Sequence, residues 1–300
     1  MIISWLRRRR RRRLLARPFP AKWLTYLEEN FGLYASLTAQ EQARLRDLVR
    51  FFIAEKYWEA CGGLVMSEEI QVTIAGQACF LLLGLDDDCF DRVRSILVYP
   101  RGYLARSSGP AVAGGVALEG TSGLAGEAVY RGPVILSWEE AVEDGRHPQS
   151  GRNLVFHEFA HQLDMLDGVV NGTPPLRSAL DRRRWRKVMT TEYQQLIAAS
   201  AEGRASLLDQ YGTTNEGEFF AVATECFFCR PRAMLRRHSG LYEILREYYR
   251  QDPAARKHAD KETGRQGDKE TKTHEDRATR HGDKETGRQG DEEGETSRET

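Results

Sequence analysis

The sequence predicts an α+β domain, mostly helical with a small β-sheet. Two observations carry this. Only SILVYP at 95–100 and PVILSW at 133–138 are short, apolar, β-branched runs bounded by proline or polar residues, which is how strands read. After Trp138 the apolar residues recur at three- and four-residue spacing, which is how helices read. Few strands followed by many helices do not make a regular βαβ alternation.

In chain order, Thr38-Ala-Gln-Glu41 is a capping box, a hydroxyl and a carboxylate each satisfying a free backbone N–H of the first turn. The helix it opens places Leu45, Leu48, Val49, Phe52 and Ile53 on one face. A second helix starts near Ser67, runs through Ile70, Ile74, Ala78 and Leu81, and is expected to stop at Gly84. Between the two strands lies GPAVAGGVALEGTSGLAGEA, a loop or weak hairpin. It contains neither GxxxxGK[ST] nor a properly placed GxGxxG, so its glycines do not indicate phosphate binding. Helices follow at about 151–166, 178–200, 216–229 and 231–250, and Pro231 suits the first turn of the last.

Both ends read differently from the middle. From Ala254 large apolar side chains vanish, and DKETGRQGD at 260–268 returns at 283–291. With nothing to bury, such a segment cannot offset its ordering entropy, so 254–300 is expected to be a disordered polar tail. Residues 1–19 contain seven adjacent arginines, Arg7 to Arg13, expected to form a solvated, disordered basic extension. Contact with nucleic acid or an anionic membrane is the other use of such a run. The globular domain is therefore placed at 20–253. Lys and Arg total 44 against 44 Asp and Glu, so no global field selects a polyanionic partner. MIISWL is too short for a signal peptide, and no stretch approaches the ~18 apolar residues of a membrane span. The five cysteines (Cys61, Cys79, Cys89, Cys226, Cys229) are odd in number and sit among apolar residues, which fits reduced thiols and a cytoplasmic protein. Cys226-Phe-Phe-Cys229 lacks the second pair that a zinc ribbon needs and reads as packing.

The chemistry concentrates in NLVFHEFAHQLDMLDG, residues 153–168. In a helix, His157 and His161 lie one above the other and aim their imidazoles at one point. Glu158 is then near enough to take a proton from a metal-activated water without being forced to ligate. Leu154, Val155, Phe156, Phe159 and Leu163 surround the motif, so its polar face points inward. Burying those groups unpaired would cost several kcal/mol, a cost a metal ion removes. A catalytic zinc needs a third protein ligand and an open position. In EGEFFAVATECFFC, 216–229, Glu218 and Glu225 share one face of a buried helix, with small Ala221 between them. The economical assignment makes Glu218 the third ligand and Glu225 the acceptor that orients a histidine N–H. Asp164 and Asp167 are rivals for the orienting role, and His238, in a basic segment, is a weaker rival ligand.

These residues, together with LTAQEQ, ILVYP, GPVILSW followed by a helix, DQYGTTNEGEFFAV and LYEILREYYRQDP, resemble the Mlc titration factor A family over roughly residues 20 to 253. That family comprises bacterial zinc peptidases distantly related to the anthrax lethal factor catalytic domain. The resemblance implies a zincin-type metallopeptidase domain with His157, His161 and Glu218 as zinc ligands and Glu158 as the catalytic base. It further implies aminopeptidase-like hydrolysis of small peptide amides and, as a partner, the glucose-responsive repressor Mlc. The family's best-known member carries a further metal-associated histidine before GPVILSW; ALEGTSGLAGEA has none. The oxyanion needs a donor besides zinc, and Tyr211, seven residues before Glu218, is the candidate. A regulatory binding protein that sequesters a repressor around a structural zinc is the alternative reading. A deformylase is weaker, because its cysteine ligand has no counterpart here.

Overall fold

In the computed structural model, which describes residues 2–101 and 132–256, the arginine run is a helix rather than a disordered extension: α1, Ile2–Leu15. Seven like charges in a row repel, but Arg7 and Arg11 face countercharges. Arg7 and Arg11, one turn apart, both bind Glu55, at 2.9 and 2.8 Å, and Arg7 also binds Asp91. The Arg11 guanidinium also lies over the Phe51 ring, 4.5 Å from its centroid. Burial alone would raise the Glu55 carboxyl, yet the two guanidiniums hold it down at about 2. These partners come from 44 to 84 residues away, so local sequence gave no sign of them.

Helix α2, Ala21–Asn30, follows Pro20, and α3, Ala39–Glu55, opens on the expected capping box. Strand β1, Tyr57–Ala60, went unread in the sequence; four residues of alternating exposure give too short a pattern to detect. Helix α4, Glu68–Phe80, is capped by Ser67 and ends before the expected stop. Gly84 serves another purpose: a Cβ there would lie 2.2 Å from the carbonyl oxygen of Tyr249, so only glycine lets the two segments touch. Strands β2, Ser95–Tyr99, and β3, Val134–Ser137, complete a three-stranded sheet of order β1–β2–β3, parallel throughout. Tyr57 pairs with Ser95 and Ile96 with Val134. The glycine-rich stretch at 109–128 lies outside the described residues, as does the tail beyond Arg256.

The C-terminal half is helical. It comprises α5, Trp138–Arg146; α6, Leu154–Asp164; α7, Ala179–Ala201; and α8, Glu216–Cys229. The helix expected over 231–250 is two, α9, Pro231–Arg237, and α10, Ser239–Tyr249, separated at His238, whose backbone leaves the helical region. The described chain also continues past the expected boundary at 253. A short 3₁₀ turn covers Pro253–Ala255, and Arg256 binds Glu41 at 2.9 Å. Among the described residues no helix is long and apolar enough to cross a membrane.

Two aromatic clusters hold α6 through Phe156 and Phe159, which lie three residues apart on one face. Phe156 meets Phe80 and Phe228 at ring distances of 5.7 and 5.5 Å, and Phe31 at 6.3 Å. Phe159 meets Phe52 and Phe90 at 5.6 and 4.7 Å. Both phenylalanines are fully buried. Cys226 and Cys229 are buried thiols whose ionisation burial opposes, Cys226 being pushed up to about 12, so they act as packing groups. Phe156→Ala is expected to cost about 3–5 kcal/mol, since it removes a fully enclosed ring that its neighbours cannot collapse to replace. Urea unfolding measures this, and a loss under about 1 kcal/mol would show that α6 does not depend on that cluster.

Candidate metal centre

Asn153 starts α6. Its side-chain oxygen accepts from Phe156 N at 2.8 Å, and Asp144 accepts from Leu154 N at 2.9 Å. Those two side-chain oxygens satisfy N–H groups that a helix start leaves free. From this fixed start, His157 and His161 fall one turn apart with ring centroids 4.9 Å from each other. Helix α8 packs on α6 and is itself capped, Asn215 accepting from Glu218 N at 3.0 Å. It presents the two carboxylates that share its face.

Glu218 Oε2 lies 2.9 Å from His157 Nε2 and 3.4 Å from His161 Nε2, and the two Nε2 atoms are 3.2 Å apart. Ligand atoms of His157, His161 and Glu218 all fall within 4.8 Å of one another, and all three residues are buried. Glu225, seven residues on, reaches the far side of the same ring, with Oε1 at 2.8 Å from His157 Nδ1. Its other oxygen accepts from Asn153 N at 2.6 Å. One carboxylate therefore ties the histidine ring to the start of its own helix.

These contacts fix the tautomer of the ring. His157 Nδ1 faces a carboxylate and must donate to it, which in the neutral ring leaves Nε2 as a lone pair. That lone pair faces a second carboxylate and a second imidazole nitrogen. Acceptors converging at hydrogen-bond distance repel unless a proton or a cation lies between them. Burial pulls the His157 imidazole down, but the carboxylates of Glu218 and Glu225 outweigh it and raise it to about 10. Burial pushes Glu218 up, and the two histidines bring it down to about 2. Glu158, also buried, adds a third carboxylate; burial raises its pKa against the pull of His161 and His157. Its Oε1 has no hydrogen-bond partner among the described residues. Three carboxylates beside two imidazoles leave an excess of negative charge, and two nitrogens with one oxygen are donors that a divalent metal ion takes. The residues fit a metal.

A model of the glucose-regulated metallopeptidase family M90 matches residues 5–250. The chain belongs to that family. Among its relatives is an uncharacterised protein of Synechocystis, slr2042, 38% identical over 245 residues, covering 81% of this chain and 89% of the relative. Mlc titration factor A of Salmonella gallinarum is 33% identical over 227 residues, covering 75% and 84%. The Salmonella arizonae protein of the same name is 32% identical over 239 residues, covering 79% and 94%. The expected resemblance thus holds at family level, and the M90 match takes in most of the arginine helix.

Within this M90 fold the remaining candidates separate by position. Tyr211, on the 3₁₀ turn Gln210–Thr213, stands with its ring 6.0 Å from that of His157 and 42% exposed. Burial, Glu218 and Glu158 all raise its pKa, so the phenol keeps its O–H. Among the described residues Asp164 makes no hydrogen bond to a histidine. Its Oδ2 accepts from Gly172 N at 2.8 Å and pins the following loop, whose turn at Gly172 (φ +70) leaves no room for a Cβ beside Glu216. Asp167 caps Val169 N at the surface, and His238 binds Glu192 at 2.7 Å, so neither joins the cluster.

The sequence reading missed the support behind the site. Asn153 could have been found, because an asparagine directly before an apolar helical run is a cap signal. Gln77 carries no such signal. Its Oε1 accepts from Asn153 Nδ2 at 2.7 Å, and its Nε2 donates to Ala141 O at 2.9 Å, linking α4, α5 and α6 in one buried chain. Asn153→Ala removes a cap and strands the Gln77 oxygen, and is expected to cost about 2 kcal/mol. A thermal or urea unfolding series against Asn153→Asp, which retains the capping oxygen, checks it; an equal loss in both variants would mean that the cap contributes nothing.

Proposed function

We propose that this chain is a zinc-dependent peptidase, aminopeptidase-like in its preference for small peptide amides. His157, His161 and Glu218 hold the metal, and Glu158 is the general base. The observation that carries the reading is the buried convergence of His157 Nε2, His161 Nε2 and Glu218 Oε2 in a chain of metallopeptidase family. When bound, the ion supplies a Lewis acid that acidifies water and polarises a scissile carbonyl.

The chain's own residues do the rest. Glu158 accepts a proton from the attacking water and returns it to the leaving amine nitrogen. Burial suits it to that task, since raising a carboxylate's pKa makes it a stronger base. Glu225 holds the Nδ1–H of His157 and so keeps Nε2 directed into the centre. Tyr211, beside that ring and still protonated, donates its O–H to the oxyanion that forms at the substrate carbonyl.

Glu158→Gln is expected to keep stoichiometric zinc while hydrolysis of aminoacyl p-nitroanilides falls by about 10²- to 10⁴-fold. Near-normal turnover in that variant would remove the general-base role. Glu225→Gln is expected to bind zinc about 10- to 100-fold more weakly, read by competition with a chromophoric chelator. Unchanged affinity would leave His157 oriented by something else.

A second reading draws on the name that the Salmonella relatives carry, Mlc titration factor A. Here the physiological act is sequestration of a repressor and the metal is structural. Binding of purified Mlc that persists after chelation, with no chelator-sensitive hydrolysis, favours this reading; hydrolysis abolished by chelator and restored by zinc favours the peptidase.

A further inference from the structure

Helix α1 divides its arginines between two faces. Arg7 and Arg11 point at the body of the protein and are held by Glu55, with Asp91 on the first and Asp87 near the second at 3.6 Å. Arg10 donates to the Ala54 carbonyl oxygen at 2.6 Å. The other face carries Arg8 and Arg12 in one row and Arg9 and Arg13 in the next, all exposed. Trp5 stands one turn before these rows, 52% exposed, with the Arg9 guanidinium 5.4 Å from its ring centroid. Leu6 beside it is also 52% exposed.

This geometry differs from a floppy basic tail in a way that bears on binding. The inward ion pairs fix the helix, so the outward guanidiniums form a preset stripe along one line. The chain as a whole has no net charge, so the stripe is a local feature and not part of a general basic surface. A stripe of arginine alone suits any polyanion. An exposed tryptophan and leucine at its head do not help to bind a phosphodiester backbone, whereas they are the residues that enter the boundary between lipid headgroups and acyl chains.

We infer that the outward face of α1 is a docking surface for an anionic lipid bilayer: Arg8, Arg9, Arg12 and Arg13 meet the headgroup phosphates, and Trp5 with Leu6 enters the interface. The helix lies in the membrane plane and does not cross it. Contact is reversible and weakened by salt, because its main attraction is between exposed charges. This inference does not depend on the peptidase reading.

The experiment uses the full chain and vesicles of phosphatidylcholine alone or mixed equally with phosphatidylglycerol, with sedimentation as the readout. Binding is expected to the mixed vesicles only and to weaken as salt rises. The fourfold variant R8Q/R9Q/R12Q/R13Q is expected to lose at least about 100-fold in partitioning. It keeps Arg7 and Arg11, so its circular dichroism is expected to match the parent. Tryptophan emission should shift to the blue on binding, and Trp5→Phe should abolish that shift although four other tryptophans remain. Equal binding to both vesicle types, unchanged binding by the fourfold variant, or tighter binding to a DNA duplex than to the anionic vesicles at the same salt would each overturn the proposal, the last in favour of nucleic acid.

Discussion

Helix α6 meets helix α8 so closely that a carboxylate oxygen of Glu218 comes to 2.9 Å from an imidazole nitrogen of His157, while the opposite nitrogen of that ring already faces Glu225 at 2.8 Å. An imidazole cannot satisfy two carboxylates and a second imidazole while neutral, so the contact demands a positive charge. Most of the surrounding structure makes that demand tolerable. Asn153 and Asp144 satisfy the start of α6, Phe156 and Phe159 lock its buried face, and Glu225 joins the histidine to the cap. A looser helix pair would turn its histidines toward water, and the centre would not form.

The same logic operates at the N-terminus with the opposite sign. Arg7 and Arg11 would repel each other in isolation, but Glu55 and Asp91 make their positions favourable and so organise the whole helix. In both places like-charged or like-polarity side chains lie together and call for a counterpart of opposite charge. On α1 that counterpart is a pair of carboxylates, Glu55 and Asp91, and the outer arginine row is exposed; at the candidate metal centre the residues fit a cation in that role.

Positioning depends on polar links that cross helices. Gln77 reaches from α4 to Asn153 and to the carbonyl of Ala141, and the Trp185 indole N–H reaches Gly172 O at 3.0 Å in the loop that Asp164 also holds. These links are buried, and each satisfies groups that burial would otherwise penalise. They fix where α6 begins and how its following loop leaves, and hence where the two imidazoles and the carboxylate of Glu218 meet.

By itself the sequence determined the elements whose signals are local. Thr38 and Glu41 cap a helix within four residues, the 3.6-residue period sets His157 over His161, and the same period sets Glu218 and Glu225 on one face of α8. Periodicity acts over one or two turns, so it can be read along the chain. Only the tertiary structure decided which carboxylate faces which nitrogen, that Asp164 serves a loop and not a histidine, and that β1 pairs with β2 at all. It also decided that the arginines form a docked helix and that the C-terminal helix breaks at His238. Those outcomes turn on partners tens of residues distant, and a short strand or a run of like charges has no fixed conformation until such a partner arrives.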